Sequence, residues 1–214
     1  MASSFDTAVE MPTFGTVAKF AENVVFRVPG CSDLMVRKAV RWAYNDFCRR
    51  SCCLRTVRRL SIEEEQTDYP VMPVYGQSVD SIVRVSIGRR VLRPQKDYLV
   101  VDGLAKVVRL HERFVPWSGE AGGVVWMEVE AVEMPSLESE EMPSWFADKY
   151  GAAVVSGALA QLLGTSGRAW SDPQSAAVER RAYENAVAEA KLAGMTGGNF
   201  GGMQADNPLA SELL

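Results

Sequence analysis

Four cysteines crowd one stretch of the chain, Cys31, Cys48, Cys52 and Cys53, and the one histidine, His111, stands far from them. Thiolate and imidazole hold zinc and attack carbonyls, so any chemistry would start here. Cys48 and Cys52 are four apart in sequence and share one side of a helix. A closed zinc site draws on a second Cys/His pair, and none follows. The cysteines are therefore expected to be small, buried apolar side chains in a reducing compartment. His111, in Arg109-Leu-His-Glu-Arg113, is the only imidazole open to a Ser-His-Asp or Cys-His arrangement. It falls at an expected strand end and reads as a surface histidine. The runs Glu63-Glu64-Glu65 and Glu138–Glu141 read as solvated faces, not as a fixed pair of acids across a cleft. Gly197-Gly198-Asn199-Phe200-Gly201-Gly202 is not framed by a strand and a helix, so it fails as a phosphate cradle and reads as a linker. No catalytic residue, metal or cofactor is expected, and the chain is not expected to be an enzyme.

The surrounding elements follow from periodicity. Residues 1–28, with Pro12 and Gly15, read as an irregular N-terminal arm. After Pro29-Gly30, Ser32 suits an N-cap and Asp33 the positive end of a helix dipole. Val36, Val40, Ala43, Phe47 and Cys48 then recur at helical spacing, predicting a helix over about 33–53. The period next changes. Leu54–Ile62 reads as a strand, Tyr69–Tyr75 as an edge or loop, and Val83, Val85 and Ile87 as one face of a strand. Tyr98–Val101 and Ala105–Leu110 flank the turn signal Asp102-Gly103, and Met127, Val129 and Ala131 alternate with Glu128, Glu130 and Val132. The stretch 54–134 is thus expected to be an antiparallel β-rich part.

Two more helices are expected at 143–163 and 173–193. Pro143 suits a first helical position, Asp172-Pro173 is a cap followed by proline, and Gly194 is a stop. Gly151, Ala153, Gly157, Ala158 and Ala160 make the first of these helices thin, which predicts close packing along the Ala153/Gly157 face. Residues 195–214 read as a flexible tail, mobile in the free protein, whose apolar anchors are Phe200, Leu209, Leu213 and Leu214. The expected class is α+β: a helical bundle, formed by the first helix and a C-terminal helical hairpin, with an antiparallel β-rich insertion.

Net charge is −4 over 214 residues, so no global attraction to nucleic acid or an anionic membrane is expected. No apolar run approaches the ~20 residues that span a bilayer, and the start lacks a signal-peptide pattern, so folding in a cytosol is expected. Charge is nonetheless segregated. Arg37, Lys38, Arg41, Arg49, Arg50, Arg55, Arg58 and Arg59 face one acid, Asp46, between Leu34 and Leu60. Seven glutamates and no base lie from Glu120 to Glu141. This pattern permits a nucleic-acid stripe on the first helix, complementary faces meeting between copies, or two solvated faces. For the second reading, the contact candidates are Arg37, Arg41, Arg49, Arg50, Glu128, Glu130, Ala153 and Gly157.

Three motifs carry a resemblance. The first is Val28-Pro29-Gly30-Cys31-Ser32-Asp33, followed by Val36, Ala39, Ala43 and Phe47-Cys48-Arg49. Next comes the hairpin Ile87-Gly88-Arg89-Arg90-Val91-Leu92-Arg93-Pro94. The third is Met142-Pro143-Ser144-Trp145, then Asp172-Pro173 with Tyr183, Ala186 and Ala190. In order and spacing these resemble the head-to-tail adaptor (connector, head-completion) proteins of tailed bacteriophages, over about residues 24–194. The long acidic stretch and the N-terminal arm depart from that pattern. The resemblance implies an adaptor domain over 29–194 and a structural virion protein at the neck, assembled in the host cytoplasm. It implies a dodecameric ring of copies around the DNA exit channel, a tail reaching the portal protein, and a downstream tail or nozzle protein as the other neighbour. Genomic DNA would pass without sequence-specific binding, and no membrane partner is implied. The alternative is a nucleic-acid-binding regulator that uses the basic first helix.

Overall fold

A glycine at φ +86°, Gly30, turns the chain into its first long helix, a backbone conformation that side-chain-bearing residues rarely adopt. Ser32 then caps α2 (Asp33–Ser51) by accepting a hydrogen bond from the Met35 amide at 3.4 Å. Val36, Val40, Ala43, Tyr44, Phe47 and Cys48 form its buried face. The helix ends where Cys52 takes a left-handed conformation at φ 50° and returns its amide to the Cys48 carbonyl. That is two residues short of the expected end.

The computed structural model describes residues 14–63, 66–73, 78–103, 105–114, 125–135 and 139–195. It is an α+β protein with antiparallel sheets. The elements before and after α2 are β1 (Phe14–Thr16), α1 (Val17–Val25), β2 (Arg55–Ile62), β3 (Asp68–Val71), β4 (Ser78–Ile87) and β5 (Arg90–Val91). They continue with β6 (Tyr98–Val101), β7 (Lys106–Leu110), β8 (Val125–Met134), β9 (Glu141–Pro143), α3 (Ser144–Leu163) and α4 (Pro173–Met195).

The arm is not irregular over residues 14–25. β1 pairs with β9, aligning Phe14 with Pro143, and α1 buries Val17, Phe20, Ala21 and Val24. The periodicity of Val17, Phe20, Ala21 and Val24 was available to find this helix; Pro12 and Gly15 obscured it. Pro143 is the cap of α3 and not its first turn, because it still belongs to the β9 pairing.

α3 lies against α1, α2 and α4. It buries residues all round, including Phe146, Tyr150, Val154, Gly157, Leu159 and Leu162, as a helix does when it is surrounded. α4 starts at Asp172, whose Oδ1 accepts from the Gln174 and Ser175 amides, each at 3.1 Å. It places Ala176, Tyr183, Val187 and Ala190 against the same core. An aromatic cluster lies at the centre, with Phe146 ring centroids 4.9 Å from Tyr44, 5.7 Å from Phe47 and 5.4 Å from Tyr150.

The strands hold a second core. One sheet has the order β2-β8-β4-β5 and another β3-β7-β6. Val85, Met127, Val129 and Ala131 from the first meet Tyr69, Val71, Tyr98, Val108 and Leu110 from the second. Tyr69–Tyr75, expected as edge or loop, supplies the edge strand β3 at Asp68–Val71. Val83 was expected beside Val85 on the core face but is exposed. Register shifts in the β4–β8 ladder, between Val79 and Ser81 and between Ile82 and Arg84, break the two-residue alternation before Val85.

Candidate functional site

The segregated charges meet inside the chain. β2 and β8 are antiparallel neighbours with Arg59 opposite Glu128, and the Arg59 Nε lies 2.9 Å from the Glu128 carboxylate. Glu130, 7% exposed, takes Arg55 at 3.2 Å and Arg84 at 3.5 Å. On α2, Arg37 pairs with Asp33 at 2.8 Å, Arg41 with Glu140 at 3.4 Å and Arg49 with Asp46 at 3.6 Å. Arg50 pairs with Asp46 and, across to α4, with Glu184. Every charged contact candidate therefore has an opposite charge in its own chain. At these residues the charge pattern is accounted for within one chain and does not by itself require a contact between copies. Sequence distance hid this, because the basic and acidic stretches are about seventy residues apart and only the β2–β8 ladder brings them together.

The thin face of α3 is also used internally. A Cβ on Gly157 would lie 2.7 Å from Tyr183 Cε2 and 3.0 Å from Ala43 Cβ, and one on Gly151 would lie 2.3 Å from Phe20 Cε1. Ala153 is half-buried against the same core. The helix is thin so that α1, α2 and α4 can approach it. Phe200, Leu209, Leu213 and Leu214 lie outside the described residues.

The four cysteines are free. Cys48 and Cys53 are buried and hydrogen-bonded to each other, and burial pushes the Cys48 thiol well up. Among the described residues no group of His, Cys, Asp and Glu is arranged to hold a metal ion. No described helix is long and apolar enough to cross a membrane.

What remains on the helical side is a surface groove of about 220 Å³ between α2, α3 and α4. Its lining includes Trp42, Arg50, Gly157, Ala160, Arg180 and Glu184. Trp42 is 42% exposed there. Arg50 and Gly157, two of the contact candidates, thus share one surface feature, although neither is free of intrachain contacts. The groove needs the α3–α4 turn to form: Asp172 returns its amide to the Leu163 carbonyl at 3.0 Å and Gly167 takes φ +74°.

Several carboxyls are held below their ordinary range, each by a named donor: Asp68 by Arg109, Asp97 by the Arg93 amide with Arg113 adding to it, Asp172 by Ser175, and Glu184 by Arg50. A depressed carboxyl stabilises the fold fully above its unfolded value, about 3.9 for Asp. That stabilisation is lost as pH falls through the lower folded value. Thermal stability should therefore be flat from about pH 7 to 5 and drop below about pH 4. Asp97→Asn should shallow that drop, read by melting curves across the acid range. A wild-type protein that gains stability on acidification would contradict these assignments.

No protein-family model and no characterised protein sequence matches this chain.

Proposed function

We propose that this chain is a structural adaptor subunit of a tailed-phage neck, forming a homo-oligomeric ring between the portal and the next tail component. In this reading α2, α3 and α4 are a helical bundle interrupted by a β-rich insertion, and the chain follows the adaptor resemblance. The observation that carries it is where the resembling motifs fall. Pro29-Gly30 with Ser32 makes the turn and cap that open α2. Gly88, at φ +55°, makes the β4–β5 hairpin. Met142-Pro143 and Asp172 open α3 and α4. Each motif does a structural job at an element boundary, in the order the resemblance requires.

Within the ring, the groove with exposed Trp42 is the surface offered to the neighbouring copy. Aromatic side chains in a groove are the usual anchors of a protein contact. Residues 195–214 are the portal-docking segment, with Phe200, Leu209, Leu213 and Leu214 as anchors, since a buried Leu or Phe contributes ~1.5–3 kcal/mol.

The test is co-sedimentation with DNA-filled, portal-bearing heads that lack tails. The full chain should bind them, and a chain truncated after Gly194 should keep its melting curve but lose binding by tenfold or more. Failure of the full chain to bind would overturn the adaptor reading. Full binding by the truncated chain would remove the tail from docking.

A further inference from the structure

A second group of cations lies in the β-rich part. A solvent-open cavity of about 440 Å³ is lined by Thr67, Lys96, Arg109, His111, Glu112 and Arg113, with Leu99 and Leu110 beside them. Lys96, Arg109 and Arg113 reach it from three places: the β5–β6 loop, the end of β7 and the 3-10 turn Glu112–Phe114. Among the described residues Glu112 is the one carboxylate in the lining, while Asp68 and Asp97 pair with Arg109 and Arg113.

The two guanidiniums are already aimed. Arg109 donates to both oxygens of Asp68, at 2.6 and 2.8 Å. Arg113 donates to Asp97 Oδ1 and, at 2.8 Å, to the Lys96 carbonyl. Asp97 is 1% exposed and is itself held by the Arg93 amide at 2.9 Å. These contacts occupy part of each arginine's donor set and fix its plane, leaving further N–H groups for an anion. No carboxylate among the described residues pairs with the Lys96 ammonium. Outside the lining, the Arg90 guanidinium carbon sits 4.8 Å from the Phe114 ring centroid, and that of Arg113 sits 5.0 Å from the same ring.

We propose that this cavity is a binding site for a phosphate group. Three cationic donors converge here from different elements, two of them held in place by Asp68 and Asp97, and such a set suits an anion with three or more oxygens better than a single carboxylate. The volume leaves room for whatever carries the phosphate. Free phosphate and a nucleic-acid backbone are the two sources of that chemistry. Phe114 has guanidiniums against it and is not free to stack a base, so a nucleic acid would be held by its backbone, without sequence preference. The site does not rest on the adaptor reading and stands or falls separately from it.

The experiment titrates the full chain, at low salt, with inorganic phosphate in one arm and a short labelled duplex DNA in the other. Lys96→Gln and Lys96→Glu are the test variants, because Lys96 is exposed and holds nothing else in place by its ammonium. Arg49→Glu on α2 is the control. Binding in either arm that weakens about fivefold or more in both Lys96 variants, and not in Arg49→Glu, supports the site. For DNA, the slope of log affinity against log salt should also fall by about one. Binding of phosphate alone would assign a small-molecule site, and binding of the duplex alone a backbone site; both support it. No binding in either arm, or binding indifferent to Lys96, overturns it.

Discussion

Leucine at Gly157 is expected to destabilise this protein strongly. The first side-chain carbon alone would lie 2.7 Å from Tyr183 Cε2, 2.8 Å from Cδ2 and 3.0 Å from Ala43 Cβ. Tyr183 cannot swing aside freely. It is 3% exposed, and its hydroxyl donates to the Ala43 carbonyl at 3.1 Å and lies 2.9 Å from Asp46 Oδ2. Overpacking costs about 1–3 kcal/mol and breaking the hydroxyl's hydrogen bond about 1 kcal/mol. The sum, about 2–4 kcal/mol, is a large fraction of the stability of a marginal domain. Urea unfolding should show a large fall in midpoint for Gly157→Leu and a smaller one for Gly157→Ala. A leucine variant as stable as wild type would mean that α3 does not pack against α2 and α4 as described.

Removing the Phe146 ring is expected to act on the same core from the opposite direction. Phe146 is fully buried and touches the rings of Tyr44, Phe47, Trp145 and Tyr150. Phe146→Ala leaves a cavity at the place where α2 and α3 meet. A loss of about 3–5 kcal/mol is expected, in the range of buried aromatic truncations. Phe146→Leu should recover roughly half of it. Denaturation followed by tryptophan fluorescence gives the value, and a loss below about 1 kcal/mol would show that the cluster is not packed.

The helices were the most legible part of the chain, because their signals are local. Ser32, Asp172 and Pro173 act within one turn of themselves, and the spacing of Val36, Val40, Ala43 and Phe47 repeats the geometry it builds. The β-hairpin around Asp102-Gly103 was legible for the same reason. What was not legible depends on pairing across long separations. Glu128 and Glu130 look unpaired along the chain, and only the β2–β8–β4 ladder gives them Arg59, Arg55 and Arg84. The small residues of α3 announced close packing, but not that Phe20 and Tyr183 of the same chain would fill the space. Val83 lost its place to a bulge that no residue type there signals. The Lys96 cavity was hidden in the same way. Its cations are scattered over residues 96–113, among acids such as Asp97, which holds the Arg113 guanidinium.

Mass measurement under native conditions decides whether copies of this chain close into a ring against a portal, as proposed. The full chain would be weighed alone, then mixed with a purified portal protein, with Trp42→Ala run alongside. A single discrete many-copy species is expected in the mixture, near the dodecamer that the adaptor resemblance implies. Trp42→Ala is expected to keep its fold and lose that species. One chain's mass in every sample, with no species containing both proteins, would contradict the proposed ring.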